Sequence, residues 1–182
     1  MLEILRQIIR DDLPELLEKP ELWADMHIIY HPPRVERLWI QRDAYRLFLH
    51  RIHPCDQNRA LWHPHPWPSA VRLLTGRYEH AIAGTAVQED DSGHAAPTEA
   101  LSRMILTAGC EYEMVHPQTW HVVRPLDQPS LSVMLVGAPY DSNAATPVPT
   151  VAKPSERQPG LSPMVREELF GEFRRALANA AR

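Results

Sequence analysis

His63 and His65 alternate with prolines in Leu61-Trp62-His63-Pro64-His65-Pro66-Trp67, and a third histidine, His121, closes the distant segment His116-Pro117-Gln118-Thr119-Trp120-His121. In an extended strand successive side chains point to opposite faces, so residues two apart share a face and two imidazoles placed there can close on one ion. A third imidazole from elsewhere completes a facial set. Such a set leaves coordination positions open for a ligand, as a catalytic site requires and a closed structural zinc site does not. The other candidates read more plainly. His116, five residues before His121, reads as a turn residue in preference to a fourth ligand or a hydrogen-bond donor to one, and His50 and His53, which flank a strand end within reach of the site mouth, read as surface residues. Trp62, Trp67 and Trp120 stand beside the three histidines as pocket wall or as packing, and Cys110 reads as a small buried hydrophobe.

Strands must hold such a set, and the chain supplies them in its middle. Leu2, Leu5, Ile9, Leu13 and Leu16 recur at helical spacing, and Asp12 with Glu15 three residues on forms a capping-box-like start, so two short helices are expected to about Lys19. From Ile28 to about Pro125 the pattern changes to short runs, 35–40, 45–52, 70–74 and 78–83, broken by Gly, Pro, Asp and Asn, with 131–136 as a last strand. Turn residues at near-regular intervals between such runs predict an antiparallel barrel or sandwich. Residues 84–98 read as a mobile, exposed loop between two strands. Residues 138–161, with Pro139, Pro147, Pro149, Pro154 and Pro159, read as an extended segment that wraps the surface or stays loose. A C-terminal helix follows over 162–182, with Ser162 as N-cap, Pro163 at its first position and an apolar stripe of Val165, Leu169, Phe173 and Leu177. The organisation is therefore an N-terminal helical segment (1–27), a β-barrel (28–137), the proline-rich segment and the helix, as one globular domain.

Composition narrows the class. The 182 residues are 44% hydrophobic and 23% charged, ordinary for a globular chain with one real core. Eighteen prolines against seven glycines favour many short segments, because proline interrupts helices and central strands alike. A net charge of -4 with both signs scattered provides no footprint for a phosphate backbone, so nucleic acid is excluded as a partner. Two isolated cysteines, Cys55 and Cys110, provide neither a disulfide framework nor a cysteine-rich zinc site and fit a reducing compartment. No apolar run reaches membrane-spanning length and the N-terminus mixes charges into its apolar positions, so the expectation is a cytoplasmic protein without a membrane partner.

The segment from about 35 to 137 resembles the cupin superfamily. Its first signature is matched by His63-Pro64-His65, then Ser69, then Gly76, and its second by Gly109 followed by His116-Pro117-Gln118-Thr119-Trp120-His121. The resemblance implies a mainly β fold, a double-stranded antiparallel β-barrel of jelly-roll type, with His63, His65 and His121 as ligands to one metal inside it. Many cupins place a ligating glutamate where Ser69 stands, and a hydroxyl is a poor divalent-metal ligand beside a carboxylate, so an all-imidazole site is expected. That pattern is similar to the thiol dioxygenases, the cysteine and 3-mercaptopropionate dioxygenase group, which use a three-histidine ferrous site. Arg37 lies about as far upstream as their substrate-carboxylate arginine, and its guanidinium suits a bidentate clamp. Their Ser-His-Tyr relay keeps only Ser132 here, since Met134 and Val136 replace its histidine and tyrosine.

The resemblance thus implies a non-haem Fe(II) dioxygenase acting on a small carboxylate- or thiol-bearing metabolite, with dioxygen as co-substrate and Arg37 and Ser132 in catalytic roles. Two alternatives stay open. One is a redox-neutral isomerase, lyase or condensing enzyme with Zn, Ni or Mn, and the other a metal- or ligand-binding barrel without turnover. Cupins often dimerise through sheet edges or terminal segments, so a homodimer is also in view, with the C-terminal helix packed on its own barrel or on a partner.

Overall fold

The computed structural model of the chain describes residues 1–29, 32–42, 45–84, 87–89, 95–116, 119–140 and 159–180. Two antiparallel sheets carry the fold. The larger runs β1 (Ala24–Ile28), β2 (Val35–Arg42), β3 (Tyr45–Ile52), β12 (Ser130–Val136), β5 (Ser69–Thr75), β10 (Glu111–Met114) in spatial order. The smaller runs β4 (His63–Pro64), β11 (Trp120–Pro125), β6 (Arg77–Ala83), β9 (Ser102–Thr107). This is the mainly β, double-stranded jelly-roll barrel that the cupin resemblance implies, and it falls within the antiparallel barrel or sandwich expected from run lengths and turn spacing. The chain enters its first strand at Ala24, a little before Ile28.

Each face of the larger sheet has its own task. Leu38, Ile40, Leu47, Leu49, Ala70, Leu74, Val133 and Leu135 pack outward against a helical layer, while their neighbours in sequence point into the barrel. That layer is α1 (Leu2–Gln7), a π turn over Ile8–Asp12, α2 (Leu13–Leu17) and α3 (Pro163–Ala180). Asp12 takes helical backbone angles and makes no side-chain cap, so the N-terminal helices run on through the π turn where a capped break was expected. The helical segment continues because the buried Leu5, Ile8, Ile9, Leu13, Leu16 and Leu17 demand one apolar face.

The C-terminal helix packs on its own barrel. Val165 N–H is capped by Ser162 Oγ at 3.3 Å, and Leu169, Phe170, Phe173 and Ala176 are buried in the shared core. The three larger side chains contribute roughly 5–9 kcal/mol of transfer free energy to that docking. Arg166 ties the helix start to Asp25 at 2.8 Å and to the carbonyls of Pro20 and Trp23. Of segment 84–98, β7 (Val87–Glu89) and β8 (Ala95–Pro97) pair as a small hairpin, in place of the expected loop. Residues 85, 86 and 90–94, and 141–158 of the proline-rich segment, lie outside the described residues. Among the described residues no helix is long and apolar enough to cross a membrane.

Candidate metal centre

The His-Pro-His-Pro run builds half of the site locally. A residue before proline is driven out of the helical region into extended backbone, so His63 and His65 both hold the strand-like geometry that puts them on one side. β4 then pairs with β11 so that His63 lies opposite His121, bringing the third imidazole across 58 positions of sequence. His121 Nε2 sits 3.2 Å from His63 Nε2 and 2.9 Å from His65 Nε2. The three ligand atoms all lie within 4.8 Å of one another.

These separations suit a single ion. Nitrogens at the usual 2.0–2.1 Å from a metal stand about 3.0 Å apart at right angles and about 3.4 Å apart in a tetrahedron. Protonation states agree with ligation. His63 Nδ1 lies 3.1 Å from the Leu61 carbonyl, which can only accept, so the proton sits on Nδ1 and the Nε2 lone pair is left for a metal. Burial holds His65 and His121 well below the ordinary imidazole range, and the neighbouring His63 pushes both the same way. They are neutral, as ligands must be. The donor set therefore fits a divalent transition metal, which His63, His65 and His121 would hold.

Two further histidines stand at the site: His80, which the sequence does not mark, and His50, which reads from the sequence as a surface residue. His80 on β6 reaches His121 Nδ1 with its Nε2 at 3.1 Å, the contact that fixes the orientation of a ligating ring. Burial pushes His80 down to about 4, with His63 adding to the effect, so this ring is neutral too. His50, expected at the surface, is instead 6% exposed on the inner face of β3, where its Nε2 accepts from Arg37 Nε at 2.8 Å. His53 remains outside, bonded to Glu36 at 3.0 Å, and His116 is exposed in the turn before β11.

A cavity of about 270 Å³ opens beside the triad. Arg37, His50 and Ser132 face it from successive strands β2, β3 and β12 in one register row. The Arg37 guanidinium also lies 4.8 Å over the Phe48 ring, and Ser132 is 2% exposed. Ser69 faces the cavity fully buried, with its hydroxyl unpartnered. Arg72 points away from the cavity to Glu111 at 3.2 Å, as strand alternation from Ser69 requires. Met134 lines the cavity and Val136 is core, so no relay partner follows Ser132 on β12. No carboxylate lines the cavity among the described residues.

Two phenols stand there that the sequence left unassigned. Tyr78 on β6 donates to the Tyr112 hydroxyl on β10 at 3.2 Å, and both line the cavity. Burial raises Tyr78 well above 10 and pushes Tyr112 up to about 12, so both remain protonated near neutrality. Tyr140 is spent on the Val115 carbonyl, and Tyr30 lies outside the described residues. Trp67 walls the cavity and stacks on His65 with centroids 5.8 Å apart, whereas Trp120 is core. Cys55 and Cys110 are free thiols, and Cys110 is only partly buried.

No family model and no curated protein matches the chain in sequence. Solved structures do match. Hydroxypropylphosphonic acid epoxidase from S. wedmorenis is 10% identical with a TM-score of 0.48, over 65% of this chain and 56% of that one. KdgF from Halomonas sp. is 14% identical with a TM-score of 0.43, over 61% and 85%. An RmlC-like cupin from Shewanella frigidimarina is 11% identical with a TM-score of 0.45, over 66% and 88%.

Proposed function

We propose that the chain is a metal-dependent enzyme of the cupin superfamily, a non-haem Fe(II) dioxygenase acting on a small carboxylate- or thiol-bearing metabolite. One observation carries this reading: three imidazoles converge within ligand distance in a cavity that, among the described residues, offers an arginine and no carboxylate. Bound iron would supply redox chemistry and open coordination positions while keeping its full dipositive charge. The residues around it supply the rest. Charge complementarity with Arg37 selects an anion, while His50 on one side and the Phe48 ring beneath hold the guanidinium in place. Ser132 presents a small polar wall in the same row, and Trp67 and Met134 add apolar walls packed in one cluster with Phe48. A cavity of about 270 Å³ lies below the range that houses drug-sized ligands, which sets the substrate as a small metabolite.

Anaerobic loading with Fe(II), followed by oxygen-uptake measurements across small thiols and amino acids, tests the reading. Substrate-dependent uptake that disappears in His63→Ala and His121→Ala variants supports it. No uptake with any of them, or stoichiometric zinc with no affinity for iron, refutes it. A redox-neutral reaction with Zn, Ni or Mn is the second reading, favoured by the protonated Tyr78–Tyr112 pair in the cavity and by the lack of a relay beyond Ser132.

A further inference from the structure

The cavity has two polar ends of different character. Arg37, His50 and Ser132 form one, on β2, β3 and β12. The other is built on β5, β10 and the segment just before β5. Tyr112 pairs with Val71, so it lies diagonal to Ser69 on the same face of adjacent strands, and Trp67 and Tyr112 pack against one apolar cluster with Val71. The three side-chain donors at this second end are short of an acceptor among the described residues. Ser69 Oγ and Trp67 Nε1 are buried and have no hydrogen-bond partner. The Tyr112 hydroxyl accepts from Tyr78 and donates to no protein group, so its proton is left for whatever enters the cavity. Three unmet donors around one space are costly unless a ligand answers them. An incoming oxyanion or carbonyl oxygen would do so, and the high proton affinity of both phenols keeps the Tyr112 donor available at neutral pH.

We propose that the substrate is bifunctional, with an anionic group against Arg37 and a second, hydrogen-bond-accepting oxygen group against Tyr112, Ser69 and Trp67. Tyr112 is then the residue that selects for the second group, and Tyr78 the residue that turns its hydroxyl proton toward the ligand. This rests on the reading of the cavity as a site for a small anion beside the metal.

Calorimetric titration of the metal-free and Zn(II)-loaded full chain with succinate against butanoate, and glutarate against pentanoate, tests it. The wild type should prefer the dicarboxylate at one or both chain lengths by about ten-fold, the strength of one good hydrogen bond to a charged acceptor. Tyr112→Phe should erase that preference while holding monocarboxylate affinity within about two-fold. Ser69→Ala should weaken the preference in the same direction. Equal affinity for both classes in the wild type, or a preference intact in Tyr112→Phe and Ser69→Ala alike, overturns the proposal and leaves the anion site standing. Monocarboxylate binding indifferent to Arg37→Met overturns the anion site itself, and this proposal with it.

Discussion

Replacing His80 by phenylalanine should weaken metal binding far more than it weakens the fold. A phenyl ring keeps the packing against Tyr112, whose ring centre lies 4.3 Å from that of His80, and removes the nitrogen 3.1 Å from His121 Nδ1. With a metal on His121 Nε2, the His121 proton must sit on Nδ1, and in the variant that donor is buried without an acceptor. Stranding it costs about 1–3 kcal/mol, which converts to a loss in metal affinity of about 5- to 150-fold. The metal-free fold is affected less, because His80 Nδ1 is itself buried without a partner and the substitution removes that group as well. Co(II) titrated against a chromophoric chelator reads the affinity, and thermal unfolding with and without chelator reads the fold. His80→Gln, whose amide oxygen can accept from Nδ1, should recover part of the loss. A His80→Phe variant that is folded and binds Co(II) within about two-fold of the wild type refutes the assignment of His80 as the group that orients His121.

Acidification of the metal-free protein should destabilise it, since His50, His65, His80 and His121 all have folded-state pKa values below the ordinary 6.5 and take up protons more readily when unfolded. Their contribution is complete above 6.5 and is lost as pH falls; for His80, whose window ends at about 4, the loss is about 3 kcal/mol, measurable by denaturant titration across that range. Arg51→Met should cost about 3 kcal/mol, because it leaves the buried Glu36 carboxylate with His53 at 3.0 Å and frees Glu172 on α3 from its 2.9 Å bond; an unchanged melting temperature would contradict this. Gly76→Ala should cost about 2 kcal/mol or more, from a left-handed φ of +78° and a new Cβ placed 3.1 Å from Ser130 Cα. Gly109→Ala, at φ +89° with open space around it, should cost only about 1 kcal/mol, and equal losses in the two variants would contradict the crowding at Gly76.

Half of the triad, His63 and His65, was legible because its geometry is local, and His121 joined it through the second signature of the cupin resemblance. Alternation with proline writes the extended backbone of His63 and His65 into the sequence, and the strand-like runs predict a barrel to carry them. What escaped depends on long-range register. His80 meets His121 only because β6 pairs with β11 so that His80 lies opposite Val123, two residues from the ligand. His50 read as a surface residue because β3 carries leucine on its outer face and phenylalanine and isoleucine on its inner face, so no polar alternation marks either side as solvent. The helical layer over the larger sheet explains that double burial, and it rests on residues at both ends of the chain. Tyr112 gave no signal of its own, since its partner Tyr78 lies 34 positions away on the facing sheet.

Metal content and coordination test the central claim most directly. After loading with Fe(II) or Co(II) under argon and removal of excess ion, elemental analysis should give one metal per chain, and X-ray absorption should show imidazole nitrogen ligands at about 2.0–2.2 Å, both lost in a His63→Ala/His121→Ala double variant. A wild-type chain that retains no metal, or a double variant that binds it as tightly, would contradict the account.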